Sequence, residues 1–210
     1  MAQRKESIVK ANLYLDQVNL PRYWPNDATI SSEDYLDAVK AGTASIDDYS
    51  FLTPQQKQAF KLVLDADTLL PEIPLTTLPQ PIQAELIPLN TPDDSSLVIA
   101  TGNNQYTLEV LTTVWSWGST PAYFLLVDCL GNTADMAMVY GEFTPERLQA
   151  ALKKSGLEDM VRHRHLIVPG FTEPLKADFA HITGWEIEVG PFCAVELPLF
   201  LGDRWTFVNP

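Results

Sequence analysis

Apolar positions along this chain change rhythm near its middle. Two short runs rich in β-branched and aromatic residues, Leu97 to Thr101 and Tyr123 to Val127, are each followed at once by a Gly-containing polar turn and then by a segment of helical period. The pattern predicts a strand over 97–101, a helix over 104–115, a strand over 123–127 and a short helix over 134–140. Thr144 and Pro145 then open a helix whose buried stripe is Leu148, Ala151 and Leu152; Lys153 and Lys154 suit its negative end, and Gly156 stops it. A third strand, Leu166 to Val168, leads into Pro169 and Gly170, and a fourth, Glu186 to Val189, leads into Gly190 and Pro191. Strand, loop and helix in this order describe an α/β sheet.

The first ninety residues read differently. Glu6 to Val18 fits a helix, while the Leu13, Leu15 alternation fits a strand, and Pro21 and Pro25 end the segment in either case. Ser31 and Asp34 mark the start of a short helix with Leu36 and Val39 on its apolar face and Gly42 as its stop. Thr53, Pro54 and Gln56 form a capping-box pattern ahead of Phe60, Leu62, Val63 and Leu64. Prolines at 71, 74, 79, 81, 88 and 92 then rule out a continuous helix and predict an extended connector. Its Leu75, Leu78, Ile82, Leu86 and Ile87 are too apolar for a free linker, so the connector is expected to cross the surface of the second half, with a domain boundary near Asn90 (1–90 and 91–210).

In an open parallel sheet a ligand sits outside the carboxyl ends of the strands. Thr101, Gly102, Asn103, Gly131, Asn132 and Thr133 are therefore expected to share one rim. A glycine follows each of the four strands within a few residues. Such glycines either let a large flat ligand approach the main chain or simply turn the chain, and the pattern alone leaves both open.

Composition narrows the classes of partner. At 210 residues with 46% hydrophobic content the chain can build a real core, and a net charge of −13 opposes nucleic acid and anionic membranes. The segment MAQRKESIVKANLYLD has no apolar signal-peptide region, and no later run is long enough to span a bilayer, so a soluble cytoplasmic protein is expected. Cys129 and Cys193 are far apart and lie outside any CxxC, which predicts two reduced thiols and no iron–sulfur cluster in this chain.

Several chemistries lack their residues. The loop after the first strand reads Thr101-Gly102-Asn103-Asn104, which is neither a dinucleotide fingerprint nor a Walker loop, and no GxSxG elbow exists. His163-Arg164-His165 places two imidazoles at strand spacing, but the arginines at 162 and 164 would repel a cation there, so a surface basic patch is expected and no metal site. Cys129 has no base near it in sequence. No catalytic side chain is nominated, and the D-x-H-x-x-G of histidine-ligating cobalamin modules is absent.

The segments LVIATGNN, TPAYFLLVDCLGNTADMAMVYGEFTPERLQAALKKSGLEDMV, RHRHLIVPG, GWEIEVGP and ELPLFL, in this order and spacing, resemble the carboxy-terminal domain of the large (gamma) subunit of the corrinoid iron–sulfur protein. That subunit is the methyl carrier of the carbon monoxide dehydrogenase/acetyl-CoA synthase system of anaerobic one-carbon metabolism. The resemblance covers about residues 95–201. It implies an α/β, Rossmann-like open sheet with helices on both faces, here preceded by a small helical and extended segment. It also implies a base-off corrinoid (cobalamin) without a protein ligand to cobalt, and a small-subunit-like or methyltransferase partner. Carried over by position, the corrinoid contacts fall at Thr101 and Thr107, at Gly131, Asn132, Thr133 and Ala134, and at Pro169, Gly170, Gly190, Pro191 and Ala194.

The chain also departs from the family pattern. The family subunit carries a four-cysteine cluster domain and a central barrel ahead of this domain, where this chain has about ninety unrelated residues and no cluster cysteines; the expectation is that it is not the complete carrier. Tyr140 and Phe192 stand where the family has other residues and are expected to fill part of the site. These differences support an alternative, a protein-interaction module that keeps the fold and has lost the cofactor.

Overall fold

The computed structural model describes residues 13–25, 31–75 and 78–208. Its first region is helical. Helix α1 (Ser32–Lys40) starts at Ser31 and ends before Gly42, whose φ of 72° is the left-handed turn that glycine adopts without strain. Helix α2 (Pro54–Leu64) carries the full capping box: Gln56 N–H donates to Thr53 Oγ1 at 3.2 Å, and Thr53 N–H donates to Gln56 Oε1 at 2.9 Å. The short α3 (Ala66–Leu69) follows directly.

The sheet begins inside the proline-rich connector. Strand β1 (Leu86–Leu89) precedes β2 (Leu97–Gly102), α4 (Gln105–Trp115), β3 (Ala122–Val127), α5 (Ala134–Val139), α6 (Pro145–Ser155), α7 (Leu157–Met160), β4 (His165–Val168), α8 (Lys176–Thr183), β5 (Glu186–Val189) and α9 (Leu197–Leu201). The order across the sheet is β1-β3-β2-β4-β5. Strands β2 to β5 run parallel, with Leu97 opposite Ala122 and Ile99 opposite Ile167, while β1 pairs antiparallel to β3 at one edge. Pro88 is tolerated there because an edge strand needs no donor on its outer side. The connector is thus extended as expected, and part of it joins the sheet.

Alternation along the strands separates two layers. Val98, Ala100, Tyr123, Leu125, Leu166 and Val168 face one hydrophobic cluster with α6 and its neighbours, whereas Ile99, Ala122, Phe124 and Ile167 face another. The second cluster also takes in Leu36, Phe60 and Val63 from α1 and α2, with Leu111 and Val114 from α4. Helices therefore cover both faces, as in a Rossmann-like open sheet, and the amino-terminal helices share a core with α4 and α9.

Four helices escape the hydrophobic pattern, the single-turn α3 among them. Of α8 only Phe179 is buried, too little for a periodic stripe. α7 is a single turn started by Gly156, and α9 (LPLFL) is apolar all round, so its period cannot be read. The helix or strand expected over 6–18 lies largely outside the described residues; within them, Leu15–Gln17 forms one 3₁₀ turn.

Candidate functional site

The chain leaves β2 toward β3 on one side, and β4 lies on the other side of β2, so the loops after β2 and β4 part at the carboxyl edge. A cavity of about 490 Å³ opens at this point. Its walls are mostly apolar, from Ile99 and Ile167 of the sheet, Val110 and Leu111 of α4, and Leu197 of α9.

Most residues expected at the rim line this cavity. Thr101 closes β2 and Thr107 lies in the first turn of α4; Gly131, Asn132, Thr133 and Ala134 come from the loop after β3 and the start of α5. Pro169 follows β4, while Gly190, Pro191 and Ala194 follow β5. Gly102, Asn103 and Gly170 are not among the lining residues; they hold the loops together. Gly170 N–H donates to the Pro191 carbonyl at 3.0 Å, and a β-carbon at Gly170 would stand 2.8 Å from Phe192 N. At Gly102 it would stand 3.0 Å from the Asn132 carbonyl oxygen.

Asn103 is the fastening of the β3 loop. Its Oδ1 accepts from Cys129 N–H at 2.9 Å and Gly131 N–H at 3.0 Å, and its Nδ2 donates to Asp128 Oδ1 at 3.1 Å. The neighbouring Asn104 caps α4 through Thr107 N–H at 2.9 Å and donates to the Gly131 carbonyl at 2.7 Å. Two adjacent amides thereby lock the loops of β2 and β3 to one another and, with Gln80, take up both main-chain groups of Gly131, while Thr101, Thr107 and Thr133 line the cavity.

The sequence pattern did not indicate that the amino-terminal region closes the site. Residues 80–82 lie across the rim as an extended clasp: Gln80 N–H donates to the Gly131 carbonyl at 2.9 Å, Gln105 N–H to the Gln80 carbonyl at 2.8 Å, and Ile82 N–H to the Asn103 carbonyl at 2.8 Å. Tyr14, Ile73, Pro74, Leu75 and Leu78 complete that wall. The excess of leucine and isoleucine in the connector was the one signal of this role. On the other side, Tyr140 and Phe192 line the mouth with 61% and 50% of their surface exposed, so they narrow the entrance while facing solvent.

The histidines stand elsewhere. His163 Nε2 donates to the Ser96 carbonyl at 2.9 Å and its Nδ1 accepts from His165 N–H at 3.2 Å, an arrangement that fixes the neutral Nε2–H tautomer. His165 pairs with Glu188 at 3.2 Å at the start of β4, and His181 is exposed on α8. Of the expected surface basic patch, Arg162 and Arg164 are exposed, while His163 and His165 are half-buried in hydrogen bonds at the opposite end of the sheet from the cavity. No group of three or more His, Cys, Asp or Glu that could hold a metal ion occurs among the described residues. Both cysteines are free and buried, and burial pushes their thiols up to about 12.

A family model described as CO dehydrogenase/acetyl-CoA synthase delta subunit matches residues 59–201. The chain belongs to this family. The matched span starts inside α2 and ends with α9, and so includes the clasp and the whole sheet; Tyr14 and α1 lie outside it. Among curated proteins, the chain is similar to the acetyl-CoA decarbonylase/synthase complex subunit gamma of Methanopyrus kandleri, at 30% identity over 123 residues, 59% of this chain and 27% of the relative. The subunit gamma of Methanocaldococcus jannaschii is 28% identical over 127 residues, 60% and 26% of the two chains. The corrinoid/iron-sulfur protein large subunit of Moorella thermoacetica is 29% identical over 121 residues, 58% and 26%. The chain thus spans about a quarter of the length of these relatives.

The lining suits a corrinoid in kind. Hydroxyls at Thr101, Thr107 and Thr133 can hydrogen-bond carboxamide side chains, and the apolar walls can shelter a ring. No histidine lines the cavity among the described residues. No described helix is long and apolar enough to cross a membrane.

Proposed function

We propose that this chain binds a base-off corrinoid, cobalamin or a close relative, at the carboxyl ends of β2 to β5, and takes part in methyl-group transfer or corrinoid handling as a soluble, cytoplasmic partner of other proteins. The supporting observation is the convergence of residues from four separate loops on one cavity at the point where the strand order reverses. Membership of the CO dehydrogenase/acetyl-CoA synthase family gives that convergence a chemical direction. When bound, the corrinoid would supply a cobalt centre that accepts and donates a methyl group. The residues of this chain would orient the ring through Thr101, Thr107 and Thr133, hold the loops through Asn103 and Asn104, and exclude water with Ile99, Leu111 and Ile167.

The test is anaerobic mixing with cobalamin or cobinamide followed by gel filtration. A coloured complex eluting with the protein is expected; no retained colour at high protein concentration would remove the proposal. One observation favours a second reading, a protein-interaction module without cofactor: Leu130, Val139, Tyr140 and Phe192 expose large apolar surface, and Tyr140 and Phe192 do so at the cavity mouth. That reading predicts no colour and a stable complex with another protein of the same assembly.

A further inference from the structure

We propose that Tyr14 is a latch across the mouth of the cavity, and that a corrinoid enters by replacing its hydroxyl at the carboxylate of Asp135. The proposal rests on the corrinoid reading above and adds to it a means of controlling access.

Tyr14 joins two sides of the site. Its hydroxyl donates to Asp135 Oδ2 in the first turn of α5, which follows β3. Its ring packs edge-on against Phe171, which follows β4, with centroids 4.9 Å apart. Phe171 in turn meets Phe192 of the β5 loop at 5.0 Å. One side chain, supplied from outside the sheet, therefore bridges loops that carry candidate ligand contacts, and Tyr14, Asp135, Phe171 and Phe192 all line the cavity.

The latch has fixed mountings. The preceding residue, Leu13, offers its carbonyl to Cys193 Sγ at 3.1 Å. Downstream, Leu20 is buried and the Tyr23 hydroxyl donates to Glu196 Oε2 at 2.7 Å. Tyr14 itself holds φ at 58°, a left-handed backbone that tyrosine rarely adopts, so contacts of the residue maintain its position. The proposed exchange moves the Tyr14 side chain alone and keeps these mountings closed.

The chemistry of exchange is matched. A carboxylate only accepts hydrogen bonds, and both a phenol and a primary carboxamide donate them. Burial and then the bond to Asp135 raise the Tyr14 phenol above its usual range, so it remains a donor. The corrin periphery carries carboxamides, so Asp135 released by Tyr14 meets a replacement donor on the incoming ring. Tyr14 lies outside the span shared with the family, which makes the latch a property of this chain's own amino-terminal region.

The experiment compares the parent with Tyr14→Phe, which keeps the ring and removes the donor, and with Tyr14→Ala, which removes both. Each folded protein, checked by its melting curve, is mixed with diaquocobinamide in a stopped-flow absorbance instrument. Loss of one net hydrogen bond predicts an association rate raised about 2- to 10-fold in Tyr14→Phe, and at least as much in Tyr14→Ala. Binding by the variants with none by the parent supports both the latch and the corrinoid reading. Binding by all three at equal rates overturns the latch and leaves the corrinoid reading standing. Absence of binding in all three overturns both.

Discussion

The ring of Pro81 rests on Gly131, so closely that a β-carbon added at Gly131 would stand 2.5 Å from the Pro81 nitrogen. Gly131 also holds φ at 80°, a left-handed conformation that costs other residues about 1–3 kcal/mol. Gly156 has a similar φ of 68° with nothing within 4 Å of the same point. Gly131→Ala is therefore expected to lower stability more than Gly156→Ala, since only the former must also push the clasp away. Urea denaturation of the two variants measures the difference, and equal losses would contradict a tight Pro81 contact.

Asn103→Ala removes the acceptor of two buried main-chain donors, Cys129 N–H and Gly131 N–H. Each unsatisfied donor costs about 1–3 kcal/mol, so a loss of about 2 kcal/mol or more is expected. Asn103→Asp keeps the acceptor but sets a carboxylate against Asp128 Oδ1, its present partner at 3.1 Å. It should recover part of the loss at low pH and less of it at neutral pH. Melting temperatures of the three proteins across that range decide this, and full recovery at neutral pH would show that the bond to Asp128 contributes little.

Glu196 gives a pH dependence. Burial raises its carboxyl above the usual 4.5, against the lowering effect of the Tyr23 hydroxyl. A group whose folded pKa lies above its unfolded value contributes stability below the unfolded pKa and loses it as pH rises through the folded pKa. Glu196→Gln has no such loss. The melting temperature of the parent relative to Glu196→Gln should therefore fall from pH 4 to pH 7, and a parent that gains over this range would refute the assignment.

The two thiols should be silent in the native protein. With both near 12, about one in ten thousand is a thiolate at pH 8, and both are buried. A chromogenic disulfide reagent should react slowly with the folded protein and titrate two thiols after denaturation. Rapid native labelling of either would show that its wall of the structure opens readily.

The four parallel strands were legible because three are largely apolar runs, the fourth (EIEV) alternates, and each leads into a glycine turn; their loops were legible because parallel strands place them on one edge. Membership of the family and the α/β sheet followed from those segments in order. The clasp was not legible: Gln80 to Ile82 bind the rim through main-chain groups, and the side-chain pattern does not report main-chain pairing. Asn103 read as a ligand contact because a polar residue at a strand end suits either role; only its bonds to Cys129, Gly131 and Asp128 show that its side chain is engaged within the protein. Tyr14 carried no periodic signal, since it stands in a stretch whose partners, Asp135 and Phe171, are more than a hundred residues away.

The shared core of α1, α2 and the sheet also sets an order of events during synthesis. Leu36, Ile46, Phe60 and Val63 find their burial against Val114, Phe124, Leu199 and Leu201, so these early helices leave the ribosome long before their partners exist. Trp24, Tyr35, Tyr49 and Phe60 stack on one another at centroid distances of 4.5–5.5 Å and give them an interim shelter. Final closure then waits for α9, near the end of the described chain, a high-contact-order step that is slow compared with the local helices. A nascent chain stalled before residue 197 would hold an aromatic cluster with one side still exposed, the species most prone to engage a chaperone.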